Sequence, residues 1–79
     1  MIRVLFFGPV AEQVDARDMQ FEFFAGMCLQ DIVVKLQEKH AQAFELVSFI
    51  AVNQVQIRDM QLALNDHDEI AFMAKFSGG

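Results

Sequence analysis

The first candidate for chemistry in this sequence of 79 residues is its one cysteine, Cys28. Cys28 directly precedes a predicted helix, and the positive end of a helix dipole stabilises a nucleophilic thiolate. No general base stands near it in the sequence, and a lone cysteine at such a position is more often a small buried or capping residue. A lone cysteine also excludes an internal disulfide bond, which fits a reducing compartment. We therefore interpret Cys28 as structural and expect a cytoplasmic protein.

A second candidate is the acidic stretch "NDHD" at 65 to 68, in which Asp66 and Asp68 flank His67. These side chains could ligate a metal ion or transfer protons. They all fall in one short segment before the last predicted strand, where Asn and Asp bond to their own backbone and His tolerates a positive φ. We therefore predict a turn here rather than a metal site. His40, near the end of a predicted helix, more simply complements the helix dipole.

Sequence motifs that mark self-sufficient enzymes are absent. The chain has no phosphate-binding glycine loop, no CxxC, no HExxH and no nucleophile elbow. Eleven acidic residues against six basic ones give a net charge of −5, the wrong sign for binding nucleic acid. Apolar runs such as "FIAV" at 49–52 are far shorter than the roughly 20 residues of a membrane-spanning helix. We expect no independent active site, no bound cofactor or metal, and neither nucleic acid nor membrane as a partner.

The C-terminal stretch "KFSGG" is the remaining candidate. If the last strand ends near Ala74, residues 75–79 can reach about 17 Å beyond the fold. Gly78 and Gly79 carry no Cβ, so this end could thread a narrow channel and bring its carboxylate to another protein's catalytic groups. A carboxylate is a poor electrophile until it is activated, for instance as an acyl adenylate, so Gly79 could carry such a group. An ordinary frayed terminus is the alternative.

The apolar pattern predicts the elements that position this tail. Leu29, Ile32, Val33 and Leu36 recur at helical spacing and line one face of a main helix that ends near His40. A shorter helix is predicted after Pro9, "AQAF" adds a loose turn after His40, and strands are predicted at 2–7, 19–24, 47–53, 55–57 and 69–74. The economical arrangement is a single two-layer α+β domain over residues 1–79, in which a mixed sheet of four to five strands carries the main helix on one face and residues 75–79 form a flexible tail.

The outer side of this sheet, away from the helix, is a candidate interface. If the first and last strands are neighbours, Leu5, Phe7, Ala71 and Met73 share that side and the apolar surface continues into Phe76. Contiguous apolar surface often marks a protein interface. The sequence therefore predicts a docking surface beside the tail.

Several stretches of the chain, taken together, resemble the small subunit of molybdopterin synthase, a sulfur carrier of the ubiquitin-like β-grasp fold. They are "RVLFFGPVAEQV", "CLQDIVVKL", "AVNQ", "LNDHDEIAF" and the closing "GG". The resemblance implies that an E1-like adenylyltransferase activates Gly79 with ATP and that a sulfur donor protein converts it to a thiocarboxylate. The tail would then insert into the large subunit of the synthase, where the sulfur builds the dithiolene of molybdopterin.

The same resemblance implies roles for individual residues. Gly79 would carry the adenylate and then the thiocarboxylate, and Gly78 and Ser77 would give the tail clearance. The residues expected to contact partners are Phe76, Lys75, Met73, Phe72, Phe7 and Leu5.

Two positions depart from the family's usual pattern. Ala74 and Lys75 stand where the family usually has two prolines, which leaves a looser and more positive tail, and His67 stands at a turn position where glycine is usual. A divergent paralogue with another acceptor is therefore one alternative. The others are a sulfur carrier for thiamine or a different product, a ubiquitin-like protein modifier, and a binding module that docks through Leu5, Phe7 and Met73 without using its end.

Overall fold

Eight elements make up the chain in the computed structural model, which describes residues 1–75. They are β1 (Ile2–Phe6), α1 (Gly8–Val14), β2 (Asp18–Phe21), α2 (Leu29–Lys39), α3 (Ala41–Leu46), β3 (Val47–Val52), β4 (Val55–Gln56) and β5 (Glu69–Ala74). The predicted order of strands and main helix is confirmed. The pattern of apolar residues did not predict α3, a six-residue helix where a loose turn was expected. Its Ala43 is buried against the core.

One mixed sheet contains all five strands in the order β2-β1-β5-β3-β4. β1 and β5 run parallel, whereas β2 with β1, β3 with β5 and β4 with β3 are antiparallel pairs. The first and last strands are therefore neighbours, as the predicted docking surface requires. β2 is shorter than predicted because Phe21 already pairs with Ile2, the first residue of β1. Residues beyond Phe21 thus have no partner strand.

The core lies between the sheet and the helices. Its sheet side consists of Ile2, Val4, Phe6, Ile50, Val52, Ile70 and Phe72, and its helix side includes the predicted stripe Leu29, Ile32, Val33 and Leu36. Phe72 is the largest fully buried side chain. Its ring stacks on Phe6 at a centroid distance of 5.9 Å and meets Phe44 edge-on at 5.0 Å. Phe72 thus joins β1, β5 and α3 in one aromatic cluster.

The start of α2 explains what Cys28 does. Cys28 is the N-cap residue, and its backbone N–H donates to the Asp31 carboxylate at 2.8 Å. The next two backbone N–H groups, of Leu29 and Gln30, donate to the carbonyls of Leu62 and Met60 at 2.9 and 2.8 Å. These bonds satisfy donors that a helix start otherwise leaves unpaired. The geometry supports the structural interpretation of Cys28.

Two of the sequence stretches that carry the resemblance meet at one end of β5. Asn53 and Gln54 have φ of 51° and 70° and form the two-residue turn between β3 and β4. The Asn53 side chain donates to Asp68 Oδ1 at 2.9 Å and accepts from the Glu69 N–H at 3.0 Å. Asp68 Oδ2 accepts from the Asn65 N–H at 2.8 Å. We call Asn53, Asn65, Asp68 and Glu69 the turn network.

His67 lies in the turn beside this network, with a φ of 73°, so the predicted turn conformation is confirmed. Its backbone N–H donates to the Met1 carbonyl at 3.1 Å. Within residues 1–75 there is no group of three or more metal-ligating side chains, and no helix there has the length and apolarity to cross a membrane.

Candidate functional site

An apolar patch covers part of the sheet face opposite the helices. We define the outer patch as Leu5, Phe7, Phe49, Ala71 and Met73. Successive strand residues point to opposite faces, and the pairing places Leu5 beside Ala71 and Phe49 beside Met73. Cross-strand neighbours of this kind contact each other directly. Leu5, Phe7, Ala71 and Met73 therefore share a face as predicted, and Phe49 extends the patch onto a third strand.

The outer patch is concentrated at one end of the sheet. Because β1 and β5 are parallel, their C-terminal ends lie at the same end of the sheet. Phe7 and Met73 are both at that end, where the chain leaves β5. The Phe7 backbone N–H continues the ladder by donating to the Phe72 carbonyl at 3.2 Å. Phe7 is 49% exposed and Phe49 is 37% exposed. Two exposed aromatic side chains are thus available to a partner near the end of β5.

The other end of the same face is charged. Arg3 lies between two carboxylates, 3.8 Å from Asp18 and 3.7 Å from Glu69, and joins β2, β1 and β5. All three side chains are substantially exposed, so these ion pairs contribute little to stability. Their effect is to bound the outer patch with polar groups, as in the polar rim of many interfaces.

The structure corrects one predicted contact residue. Phe72 has no exposed surface and packs in the core, so the expectation that its side chain docks a partner is wrong. The physical reason is the strand period, which places Phe72 on the helix side, whereas Ala71 and Met73 are on the outer side. Lys75 follows β5 and is exposed. The predicted site residues Phe76, Ser77, Gly78 and Gly79 lie outside the described residues.

Phe49 is the residue that the sequence prediction missed. The sequence "VSFIAV" is apolar on both faces of β3, which indicates that the outer face of this strand also contacts other protein atoms. The place of Phe49 opposite Met73 follows from the antiparallel register that also pairs Ile50 with Phe72, and a bulge between Val47 and Phe49 ends this register just beyond it. A register of this kind is set by long-range pairing and cannot be read from one strand alone.

The remaining electrostatic feature lies at the N-terminus, beside the turn that precedes β5. The Met1 ammonium group donates a hydrogen bond to Asp66, which holds the pKa of that carboxyl below its usual value. The nearby His67, whose Nε2 is 3.6 Å from Asp66 Oδ2, acts in the same direction. Both carboxylate and imidazole are exposed. This pair fastens the first residue to the turn and forms no enclosed site.

Known structures resemble this one over almost the whole chain. A complex of subunits 1 and 2 of molybdopterin-converting factor from Helicobacter pylori 26695 contains a chain that is 30% identical, with a TM-score of 0.71 over 99% of this chain and 97% of that one. Small archaeal modifier protein 1 from Methanosarcina acetivorans is 21% identical, with a TM-score of 0.80 over 99% and 95% of the two chains. Urm1 from Trypanosoma brucei is 21% identical, with a TM-score of 0.76 over 99% and 94%. The predicted β-grasp fold is confirmed.

The sequence itself gives the family. No curated protein matches it significantly. The model of the ThiS family, in contrast, matches residues 4–79, which is nearly the full length. The chain belongs to the ThiS family and is a ubiquitin-like sulfur carrier of that family.

Proposed function

We propose that this sulfur carrier bears its sulfur as a thiocarboxylate on Gly79 and acts as the small subunit of a molybdopterin synthase. The observation that carries the proposal is the position of the outer patch. It lies at the end of the sheet where β5 ends at Ala74, so a partner that covers Phe7, Phe49 and Met73 also stands beside the start of the tail. Residues 75–79 can reach about 17 Å into such a partner.

The likeness to the Helicobacter pylori complex supports the choice of partner. That complex joins subunit 1 to subunit 2 of molybdopterin-converting factor, and 30% identity extends over 99% of this chain. We therefore assign to this chain a large synthase subunit as its acceptor enzyme. The outer patch would form the apolar centre of that interface, and Arg3, Asp18 and Glu69 would lie at its rim.

The proposed cycle needs only the backbone terminus of this chain. An E1-like adenylyltransferase promotes attack of the Gly79 carboxylate on the α-phosphate of ATP, which forms an acyl adenylate and releases pyrophosphate. Hydrosulfide supplied by a sulfur donor protein then attacks the acyl carbon, AMP leaves, and the thiocarboxylate remains. Its anionic sulfur is a nucleophile, as a thiolate is. The thiocarboxylate sulfur displaces an oxygen substituent at a carbon of the pterin precursor, which forms a thioester between Gly79 and the pterin. Water then attacks the acyl carbon of that thioester and cleaves its carbon–sulfur bond, so the sulfur stays on the pterin and the Gly79 carboxylate is restored.

Ala74 and Lys75 replace the two prolines that the family usually has before its C-terminal residues, and they give the end of β5 different properties. Ala74 pairs with Val47 and so extends β5 by one residue, which a proline would prevent in the interior of a sheet. Lys75 adds a positive charge at the start of the tail. The acceptor enzyme is therefore expected to present an acidic or neutral surface at the mouth of its channel.

Intact-mass analysis of the protein from its native cells tests the chemistry. Replacement of one oxygen by one sulfur, lost when Gly79 is deleted, supports the carrier cycle. A large covalent adduct through Gly79 would instead indicate a ubiquitin-like modifier, and an unmodified chain whose Gly79 deletion keeps full activity would contradict the proposal. Circular dichroism of the deletion variant serves as the control for folding.

Copurification tests the pathway separately. Recovery of a pterin-binding large subunit, lost in a Phe49→Ser variant, supports the assignment to molybdopterin synthesis. Recovery of a thiazole-forming enzyme alone would assign the carrier to thiamine and overturn the proposed acceptor.

A further inference from the structure

A groove of about 500 Å³ opens on the other edge of the sheet, between α3, β3 and the segment that follows β4. Its apolar lining includes Phe44, Val47, Phe49, Ile57 and Met60. Phe49 and Val47 also belong to the strand that pairs with β5. The groove therefore lies beside the outer patch and shares Phe49 with it.

Among the described residues that line this groove, Arg58 is the only charged one. This is notable in a chain of net charge −5. The neighbouring acid, Asp59, accepts a hydrogen bond from the Gln61 backbone N–H at 2.9 Å, and within residues 1–75 no carboxylate lies in ion-pair contact with Arg58. The groove therefore combines an apolar wall with one guanidinium group, which suits a ligand that has an apolar side chain and a carboxylate.

The strand register places the end of β5 close to Arg58. Met73 pairs with Phe49, and the Ile57 N–H donates to the Ile50 carbonyl at 2.8 Å, so Arg58 follows alongside Phe49. Two strand spacings then separate Met73 from Arg58, or about 10 Å. Residues 75–79 reach about 17 Å, which is enough to cross β3 and enter the groove.

We propose that this groove binds the chain's own C-terminal segment, with Phe76 against Phe44 and Val47 and the Gly79 carboxylate on Arg58. Phe76 is the one large apolar residue after Met73, and Gly79 supplies the anion. A short tether gives such a segment an effective concentration in the millimolar range, so even a weak site can be populated. The inference goes beyond the carrier function, because it concerns where the unloaded terminus rests and requires no sulfur.

A second groove, beside β1, is an alternative site for the C-terminal carboxylate. It is lined by Phe7 and Arg17 but also by Arg3, Glu12 and Asp18, so its charges balance. Arg3 already contacts two carboxylates. An anionic terminus gains less there than beside Arg58, which carries no such neighbours among the groove-lining residues. Arg17→Gln is therefore a matched control for Arg58→Gln.

Amide chemical shifts of the full chain and of a chain truncated after Lys75 test the proposal. We expect the truncation to shift the amides of Phe49, Ile57 and Met60. Phe76→Ser should reproduce most of that shift, Arg58→Gln a part of it, and Arg17→Gln none. The absence of a shift in the groove, or a response to Arg17→Gln in place of Arg58→Gln, would overturn the proposal.

Two further measurements separate a site for the chain's own tail from other occupants. Shifts that do not change over a tenfold dilution support binding within one chain, whereas shifts that vanish on dilution indicate the tail of a second copy and contradict it. Titration of a carbon-13-labelled Gly79 carboxylate should show a pKa that rises on Arg58→Gln and not on Arg17→Gln. Neither readout depends on sulfur transfer, so this inference and the proposed function can fail independently.

Discussion

The two ends of β5 differ in whether their side chains find partners within the protein. At the start of the strand, the turn network pairs the side chains of Asn53 and Asp68 within the protein. At the other end, Phe7 and Phe49 are about half and one third exposed beside Met73. The first end therefore holds the fold together and the second presents surface to a partner. The stretches "AVNQ" and "DEIAF", on which the resemblance was based, supply Asn53, Asp68 and Glu69 to the structural end.

The two faces of β5 are expected to differ most in stability, because one packs in the core and the other is partly exposed. Phe72→Ala removes a ring that packs on Phe6 and Phe44 in the core and is expected to cost about 3–5 kcal/mol of unfolding free energy. Met73→Ala, one residue later on the outer face, should cost less than about 1 kcal/mol. Urea unfolding of both variants measures the difference. Equal losses would contradict the assignment of Phe72 to the core and Met73 to the surface.

Asp68→Ala tests the structural end. It removes the acceptor for the Asn53 side chain and the Asn65 N–H, and leaving such donors unpaired in a partly buried site costs about 1–3 kcal/mol. The control is Asp59→Ala, which removes one exposed hydrogen bond to Gln61 and should change stability by no more than about 0.5 kcal/mol. Partner binding, measured under conditions in which circular dichroism shows both variants to be folded, should be retained. A loss of binding in Asp68→Ala but not in Asp59→Ala would show that Asp68 contacts the partner, contrary to its assignment to the structural end.

Phe49→Ser tests the surface end. Removal of an aromatic side chain from the centre of an interface is expected to weaken binding to the large subunit about tenfold or more, or at least about 1.4 kcal/mol. Val55→Ser is the matched control, because Val55 is 61% exposed on the edge strand β4 and outside the outer patch. Calorimetric titration of each variant gives the affinities. Comparable weakening by both substitutions would show that the outer patch has no special part in docking.

The sequence predicted those features that depend on local periodicity. Alternation in "EIAFMA" separated Ile70 and Phe72 from Ala71 and Met73, and the helical spacing from Leu29 to Leu36 identified the buried stripe of α2. The role first assigned to Phe72 came from the resemblance, and the alternation already argued against it. Local pattern was therefore the better guide to which side chains are exposed.

Features that depend on pairing between distant segments were not predictable in the same way. The register that places Phe49 opposite Met73 is fixed by β5, and the end of β2 at Phe21 is fixed by β1. The groove around Arg58 depends on how the segment after β4 folds back along β3. One sequence contains no direct record of these registers, because each strand's pattern is compatible with several of them.

The smallest expected effect concerns Asp66 at the N-terminal turn. Its pKa is lowered in the folded protein, chiefly by the hydrogen bond from the Met1 ammonium group, so its contribution to stability is present above the pKa of the unfolded chain and is lost as the pH falls through the lowered folded value. The difference in unfolding free energy between the protein and its Asp66→Asn variant should therefore shrink on acidification over that interval. Acetylation of the N-terminus should raise the Asp66 pKa measured by NMR. A pKa that acetylation leaves unchanged would mean that His67, rather than the terminal amine, sets it.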